Sequence, residues 1–312
     1  MKKIITVAMI IVAAMSFAQM EISRNRLDAG AEFEYTMRDK HATMGFTVPA
    51  VSYEFEALPS EMFRMYLYGD AGFNMSKWGY DGEWDDEFSK VFGINLAPMG
   101  KVYLPNDLFV KFGLPFMFAN YAYGDNDAVS VMGLDMFAHF GYDNRELYLQ
   151  GMTPWGRFEK GMAFYGVFDM GIMYSEDGDS VDDLPMHFGV EGCYAHYNDG
   201  MMIKPYLSYM MQLNEDAGAK DAHLNIGAVY AQDFTEQLNL EAGLNYSMVM
   251  PEDSDVDGAS DFEIGALVNY YVMPELNIFG GFGYWMDMTK DNDSDPMITI
   301  KVGAAYTLDF LK

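Results

Sequence analysis

Along most of the chain apolar side chains return at every second position, the spacing that collects them on one face of a β-strand. Phe63, Met65 and Leu67 alternate with Arg64, Tyr66 and Tyr68, and Ala71, Phe73 and Met75 carry the apolar side past Asp70 and Asn74. The same alternation runs through 132–140, 223–230, 238–247 and 298–310. After residue 20 no segment shows a helical stripe or a long uninterrupted apolar run. Many alternating segments pass ten residues. Strands of soluble domains are mostly about five or six residues long, whereas a tilted membrane-crossing strand needs ~9–11. The opposite face is polar or glycine-rich, which suits a wet interior better than the core of a sandwich.

The connections fall into two kinds. Tight ones sit at Leu58-Pro59-Ser60, Pro105-Asn106-Asp107, Asp143-Asn144-Arg145, Asn198-Asp199-Gly200, Thr235-Glu236 and Met273-Pro274. Longer, acidic ones span 76–87, 214–221, 251–261 and 288–296. Short turns at one rim and long loops at the other predict an all-β, closed antiparallel transmembrane barrel. The strand-like segments number fifteen, an odd count that a closed single-chain barrel avoids. The phase conflict lies between Glu146 and Leu184, around Met152-Thr153-Pro154-Trp155-Gly156-Arg157. Removing 146–150 as a separate spanning strand gives about fourteen, the favoured count, while a poorly patterned strand hidden there would give sixteen, within a range of 12–16. Tyr35, Tyr142, Tyr174 and Trp285 near strand ends suit the interfacial aromatic girdles of such a barrel.

The N-terminus follows different rules. Lys2 and Lys3 precede a run of about a dozen apolar residues, and Ser16-Phe17-Ala18 places small residues before Gln19. This reads as a signal peptide, residues 1–18, cleaved between Ala18 and Gln19. The run is too short for a spanning helix, and the absence of Cys after the site argues against a lipoprotein. Residues 19–312 form one barrel domain without a linker. About nine residues separate Gln19 from a first strand near Asp28, too few for a plug domain.

Composition narrows the function. The 312 residues carry 19 Lys plus Arg against 47 Asp plus Glu, a net charge of −28 that disfavours nucleic acid as a partner. Half the residues are hydrophobic and 16% are aromatic, which excludes a disordered acidic chain. A mean hydropathy of −0.08 excludes a polytopic helical membrane protein but not a barrel, whose alternating strands average near zero. A single cysteine, Cys193, excludes a disulfide framework.

With these features the chain resembles bacterial outer-membrane β-barrels of the porin-like type over essentially its whole mature length. The resemblance rests on architecture and on the amphipathic C-terminal strand 298–310. Leu311 and Lys312 follow the last aromatic, Phe310, a departure from the terminal aromatic usual in that class. It implies residence in the outer membrane among its lipids, insertion by the barrel-assembly machinery, and a homo-oligomer as one possible state.

Catalytic patterns are weak. His139 shares a face with Asp135, and His187 with Glu191 and Cys193, but no Gly-x-Ser-x-Gly or His-Glu-x-x-His is present. A barrel-wall hydrolase is therefore the least supported reading, and the chain is read as a non-enzyme. Asp253-x-Asp255-x-Asp257-Gly258 resembles half of a calcium loop, but Ile264 stands where the final Glu belongs. A solvated acidic loop is the plain reading. Weak Ca²⁺ or Mg²⁺ binding, at roughly 10⁻⁴–10⁻³ M, is the alternative, and no other cofactor is expected. The many methionines share the apolar phase with Leu and Phe, where they serve as flexible hydrophobes rather than copper ligands. Gly280-Gly281-x-Gly283 has no helix after it and reads as a bend or as a ladder packed on an aromatic.

The phase opposite the apolar residues supplies the candidate lumen. It holds Glu32, Glu34, Asp70, Asp135, Asp169, Glu191, Glu241, Glu263 and Asp287 against Arg64, Lys111, Lys204 and Lys301. Nine acids against four bases predict a passive, cation-preferring channel for ions and small solutes. A non-conducting structural or adhesion barrel is the competing class. The signal reading makes its own prediction: N-terminal sequencing of outer-membrane fractions should begin at Gln19, and Met1 retained in the inner membrane would refute it.

Overall fold

A computed structural model describes residues 21–124, 128–144, 146–148, 158–175, 186–198, 200–213, 221–251, 258–289 and 295–311. In chain order its strands begin with β1 (Glu21–Arg38), β2 (His41–Ser60), β3 (Phe63–Tyr80), β4 (Glu83–Trp84) and β5 (Ser89–Tyr103). Next come β6 (Leu108–Gly113), β7 (Phe116–Tyr123), β8 (Val129–Asp143), β9 (Glu146–Tyr148) and β10 (Phe158–Ser175). Then follow β11 (Met186–Asn198), β12 (Met201–Gln212), β13 (Ala222–Asp233) and β14 (Leu238–Met250). The last are β15 (Ser260–Met273), β16 (Leu276–Asp287) and β17 (Met297–Asp309).

These strands make one antiparallel sheet that closes when β17 pairs with β1, giving a fourteen-stave barrel among the described residues. Two features reconcile seventeen strands with fourteen staves. β4 and β9 are two- and three-residue ribbons on the ends of β3 and β10. β6 and β7 are one stave interrupted at Leu114-Pro115. Met99 faces Gly113 and Leu96 faces Phe116 in a single register, and β8 continues unbroken beside both halves. Pro115 lacks an N–H, yet its carbonyl still accepts from Asp135 N at 2.8 Å. β9 pairs only with the first residues of β10 and is no spanning stave, so the phase conflict resolves to fourteen.

The two rims differ in part as the sequence predicts, although at the long-loop rim β1 turns into β2 within Asp39-Lys40. At the end holding the first residues of β1, β2 turns into β3 within Glu61-Met62 and β11 into β12 within 199–200. At the other end the connections between β12 and β13, β14 and β15, and β16 and β17 span 213–221, 251–259 and 288–296. The β2–β3 turn falls just beyond Leu58-Pro59-Ser60, which lies inside β2.

Exposure along each stave separates lipid from lumen. On β8, Met132, Leu134, Met136 and Phe140 are exposed while Asp135, Phe137 and His139 are shielded. On β15 Ile264, Ala266, Val268, Tyr270 and Val272 are exposed at every second position, with Glu263 and Met273 exposed beside them. Toward the short-turn rim outward Tyr194, Tyr270 and Tyr306 interrupt the aliphatic belt, and toward the long-loop rim Tyr209 does so. Rings with an apolar body and a polar tip suit those depths. Trp285 is not among them. It faces Glu263 across β15 and Met297 across β17, on the inward phase, with the Arg38 guanidinium 5.5 Å from its ring. The girdle assignment for Trp285 is thus corrected: its position within β16 sets its face, and closeness to the strand end does not.

Glycine shapes the inner wall. Gly243, Gly265 and Gly283 stand opposite one another on three successive staves and bare the wall there. One stave on, Phe279 packs over Gly303, where an added Cβ would sit 2.3 Å from the ring and 2.6 Å from the Ala31 carbonyl. The aromatic comes from β16 and the glycine beneath it from β17; beside Gly280, Gly281 and Gly283 themselves lie Val302, Leu267 and Thr299, not a ring.

The lipid and lumen phases predict opposite responses to charge. Leu244→Arg, outward near the middle of β14, should destabilise the barrel by about 2–4 kcal/mol. Asn245→Arg, inward and facing Glu263, should cost little. Urea unfolding in lipid vesicles measures both, and equal losses would contradict the phase.

Candidate functional site

Because side chains alternate, the register that closes the barrel also decides which charges meet inside it. It places all of the sequence-derived lumen residues on the inward phase. At the β1–β17 seam Lys301 Nζ lies 3.0 Å from Glu32 Oε1 and 3.6 Å from Glu34 Oε2. Asp70 accepts from Asn95 Nδ2 at 2.7 Å, one stave away. Asp169 faces His187, whose Nδ1 is 2.6 Å from Asp169 Oδ1. Asp135 lies on β8 beside them and accepts from Met136 N at 2.8 Å. Glu191 accepts from the Tyr165 hydroxyl at 2.7 Å.

The remaining candidates spread around the wall. Lys204 faces Val229, Glu241 faces Leu267, and Glu263 lies between Asn245 and Trp285. Asp287 faces Asp261 and accepts from Thr289 N at 2.9 Å. Arg64 donates to Glu56 at 3.2 Å, and Lys111 Nζ lies 5.5 Å from the Phe137 ring centroid. Asp253, Asp255 and Asp257, like Ala18 and Gln19, lie outside the described residues. Among the described residues no group of three or more His, Cys, Asp or Glu could hold a metal ion.

The sequence reading undercounts the inward bases. Arg24, Arg26, Arg38 and Lys101 join Arg64, Lys111, Lys204 and Lys301. The acids Asp28, Glu54, Glu56 and Asp143 are added as well. Arg24 pairs with Glu54 at 2.9 Å, and Arg26 with Asp28 at 2.8 Å. Asp28 also accepts from the Thr307 hydroxyl across the seam. β1 begins at Glu21, seven residues before Asp28, and this is why Arg24 and Arg26 escape the pattern. The alternation Arg24-x-Arg26-x-Asp28-x-Gly30-x-Glu32 was there to extend. Tyr53-Glu54-Phe55-Glu56 carries the same signal on β2.

Toward the short-turn rim buried polar side chains bond to one another around the wall. Asn239 donates to Asp233 Oδ1 at 2.8 Å, Asn269 to Asn239 at 3.3 Å and Asn277 to Asn269 at 2.9 Å, an amide chain across four staves. All three asparagines are buried. Across the barrel from this chain Lys101 is ion-paired with Asp143, and both are buried. Above these belts the wall opens into cavities. One of about 440 Å³ lies over Gly265, Gly281 and Gly283 beside Glu34 and Lys301. Another of about 470 Å³ lies between Glu191, Lys204 and Asn225.

The buried Lys101–Asp143 pair allows a clean test of the buried belt. Lys101→Met should cost about 3–5 kcal/mol, because it leaves the Asp143 charge buried without its counter-ion. Combining it with Asp143→Leu should recover most of the loss. Chemical unfolding of both variants checks the sign, and an equally unstable double variant would contradict it.

No protein-family model matches the chain, and no curated protein is similar to it. Solved structures are similar in shape. The TodX monoaromatic hydrocarbon channel, as its deltaS2 mutant, is 8% identical with a TM-score of 0.51, covering 95% of this chain and 92% of that one. A FadL homologue from Pseudomonas aeruginosa is 10% identical, with a TM-score of 0.47 and coverage of 96% and 92%. OccK7 from Pseudomonas aeruginosa is 10% identical, with a TM-score of 0.44 and coverage of 94% and 100%. The TodX likeness bears on fold alone. With it stand the closed sheet, the apolar outer belt and the charged interior. In fold, and in the apolar belt around it, the chain is a closed antiparallel β-barrel of the kind found among bacterial outer-membrane proteins.

Proposed function

We propose that the barrel is a passive channel for ions and small solutes, with a preference for cations. The observation that carries this reading is the inner wall. It is lined by charged and amide side chains, bared by the Gly243, Gly265 and Gly283 row, and wrapped by fourteen staves. Eight staves leave an interior that side chains fill, and sixteen to eighteen leave an aqueous channel. Fourteen lies toward the wider end, and a polar lining keeps such an interior wet.

The preference follows from the kind and the placement of the charges. Inward acids outnumber inward bases even after Arg24, Arg26, Arg38 and Lys101 are counted. The bases also gather toward the short-turn rim, where Arg24, Arg26, Arg64 and Lys101 are held by acids. Glu263 and Asp287 lie toward the long-loop rim, at the mouth that a solute meets first, and Asp70 and Asp135 lie near mid-wall, beyond those pairs. Low-dielectric walls focus that field and concentrate cations. Bulky inward Tyr66, Phe137 and Trp285 are the features that favour the non-conducting structural or adhesion barrel instead.

Planar-bilayer recordings separate the two. In a KCl gradient the reversal potential should show K⁺ preferred over Cl⁻. The bias should shrink with salt, because the screening length falls from ~30 Å at 0.01 M to ~3 Å at 1 M. Asp70→Asn with Asp135→Asn should reduce the preference without unfolding the barrel. An anion preference would overturn the electrostatic reading, and the absence of any conductance would favour the structural barrel.

A further inference from the structure

Gly243, Gly265 and Gly283 lie in one row across β14, β15 and β16. None of the three has a positive φ. A Cβ added at Gly243 would meet nothing closer than the Ala228 carbonyl at 3.8 Å, and one added at Gly283 nothing closer than Thr299 at 3.6 Å. Gly303 is different, because the Phe279 ring fills its place. Neither the backbone conformation nor a packed neighbour uses the space over Gly243 and Gly283. The bare row floors two adjoining cavities. The larger, of about 440 Å³, is within the size range of small-molecule sites. The smaller, of about 300 Å³, shares Glu263, Gly265 and Leu267 with it and reaches to Glu241.

The walls of this trough supply an aromatic ring and an excess of carboxylates. Trp285 lines the larger cavity, and Glu263 stands directly opposite it on β15. Glu263 is exposed on the inward phase and has no Lys or Arg within ion-pair distance among the described residues. Among the described residues Lys301 is the single base in the cavity wall, and it is shared by Glu32 and Glu34. Arg38 holds its guanidinium 5.5 Å from the Trp285 ring but is not part of the cavity wall. Even with Arg38 counted, Glu32, Glu34 and Glu263 outnumber Lys301 and Arg38, and Glu241 in the adjoining cavity widens the margin.

We infer that this trough is a binding subsite for a small organic cation, with its ammonium between the Glu263 carboxylate and the Trp285 ring and its apolar body on the glycine floor. An ammonium N–H donates a charge-assisted hydrogen bond to a carboxylate. Among aromatic rings the indole attracts a cation most strongly. The missing side chains at Gly265 and Gly283 leave room for a flat body beside Leu267. A bare metal cation gains only from the acids, whereas a body that covers the floor also gains by leaving water. Binding is weak, because a solute on a path through a channel must leave as well as enter. The inference deepens the channel reading by naming a class among the cations that pass, and it rests on that reading for the route into the lumen.

Calorimetric titration of the detergent-solubilised barrel tests it without any current being measured. Benzylammonium should bind in roughly the millimolar range, while benzyl alcohol, which has the same body without the charge, and benzoate should not. Glu263→Gln should weaken benzylammonium binding about tenfold, the scale of one lost charge-assisted contact. Glu263→Asp keeps the charge and should lose less. Gly283→Leu fills the floor without altering any charge and should weaken binding as much as Glu263→Gln does. Glu191→Gln removes a lumen carboxylate four staves away and should leave binding unchanged. Retarded gel mobility on boiling verifies that each variant is folded. Equal losses in Glu263→Gln and Glu191→Gln would replace the site by a diffuse acidic field and overturn it. Full binding in Gly283→Leu, equal binding of benzyl alcohol, or no heat from benzylammonium at tens of millimolar would overturn it too. A barrel that binds benzylammonium through Glu263 yet passes no current would refute the channel and keep the site. A conducting, cation-preferring barrel that gives no heat with benzylammonium would refute the site and keep the channel.

Discussion

Hydrocarbon offers no partner to a backbone N–H or C=O, so every such group along the crossing segments has to find one in the chain itself. An open sheet fails at its two edges, and closure removes both. The remaining features of the molecule follow from that requirement. Strands lengthen to cross a bilayer, one side-chain phase turns to lipid, and the other turns to whatever the barrel encloses. Pro115 shows how strict the condition is: the stave loses one donor there, yet register is kept on both sides and the neighbouring carbonyl stays in use.

The same condition explains what could be read from sequence. Alternation with a period of two is written residue by residue, so the inward phase of Asp135, Glu191, Glu241 or Lys301 was legible without coordinates. Strand ends are less legible, because the lipid boundary that fixes alternation stops constraining the chain beyond it. Arg24 and Arg26 were missed for that reason, and Trp285 was placed by its nearness to a strand end when its phase decided its face. Which inward charges meet was not legible at all. The pairing of Lys101 with Asp143 links residues 42 apart, and it depends on a register that only the assembled sheet defines. The weak segment around 152–157 broke the phase, and the short β9 beside it was the false fifteenth strand.

Inside, polarity is sorted along the axis. The short-turn rim is held by buried amides and ion pairs that share their hydrogen bonds around the circumference. Toward the long-loop rim the acids stand in wider space, beside glycines that leave the wall bare. Burial strengthens and rigidifies the first group, while water screens the second. A barrel built this way is stiff at one end and electrostatically soft at the other. Substitutions near Asn269 or Lys101 thus act on stability, and those near Asp70 or Glu263 act on the charge of the wall.

The seam between β1 and β17 has a consequence in time. Met37 and Ile298 are paired although they lie at opposite ends of the chain, and the Arg26–Asp28–Thr307 cluster and the Glu32–Lys301 pair bridge the same gap. Hairpins between sequential staves form from local contacts, but this one pairing demands closure of a loop nearly as long as the protein. Contacts of such sequence separation slow folding and come late. Until β17 arrives, β1 is an exposed edge able to pair with another chain, so the strand farthest from β1 along the sequence is also the one that ends the interval of aggregation risk.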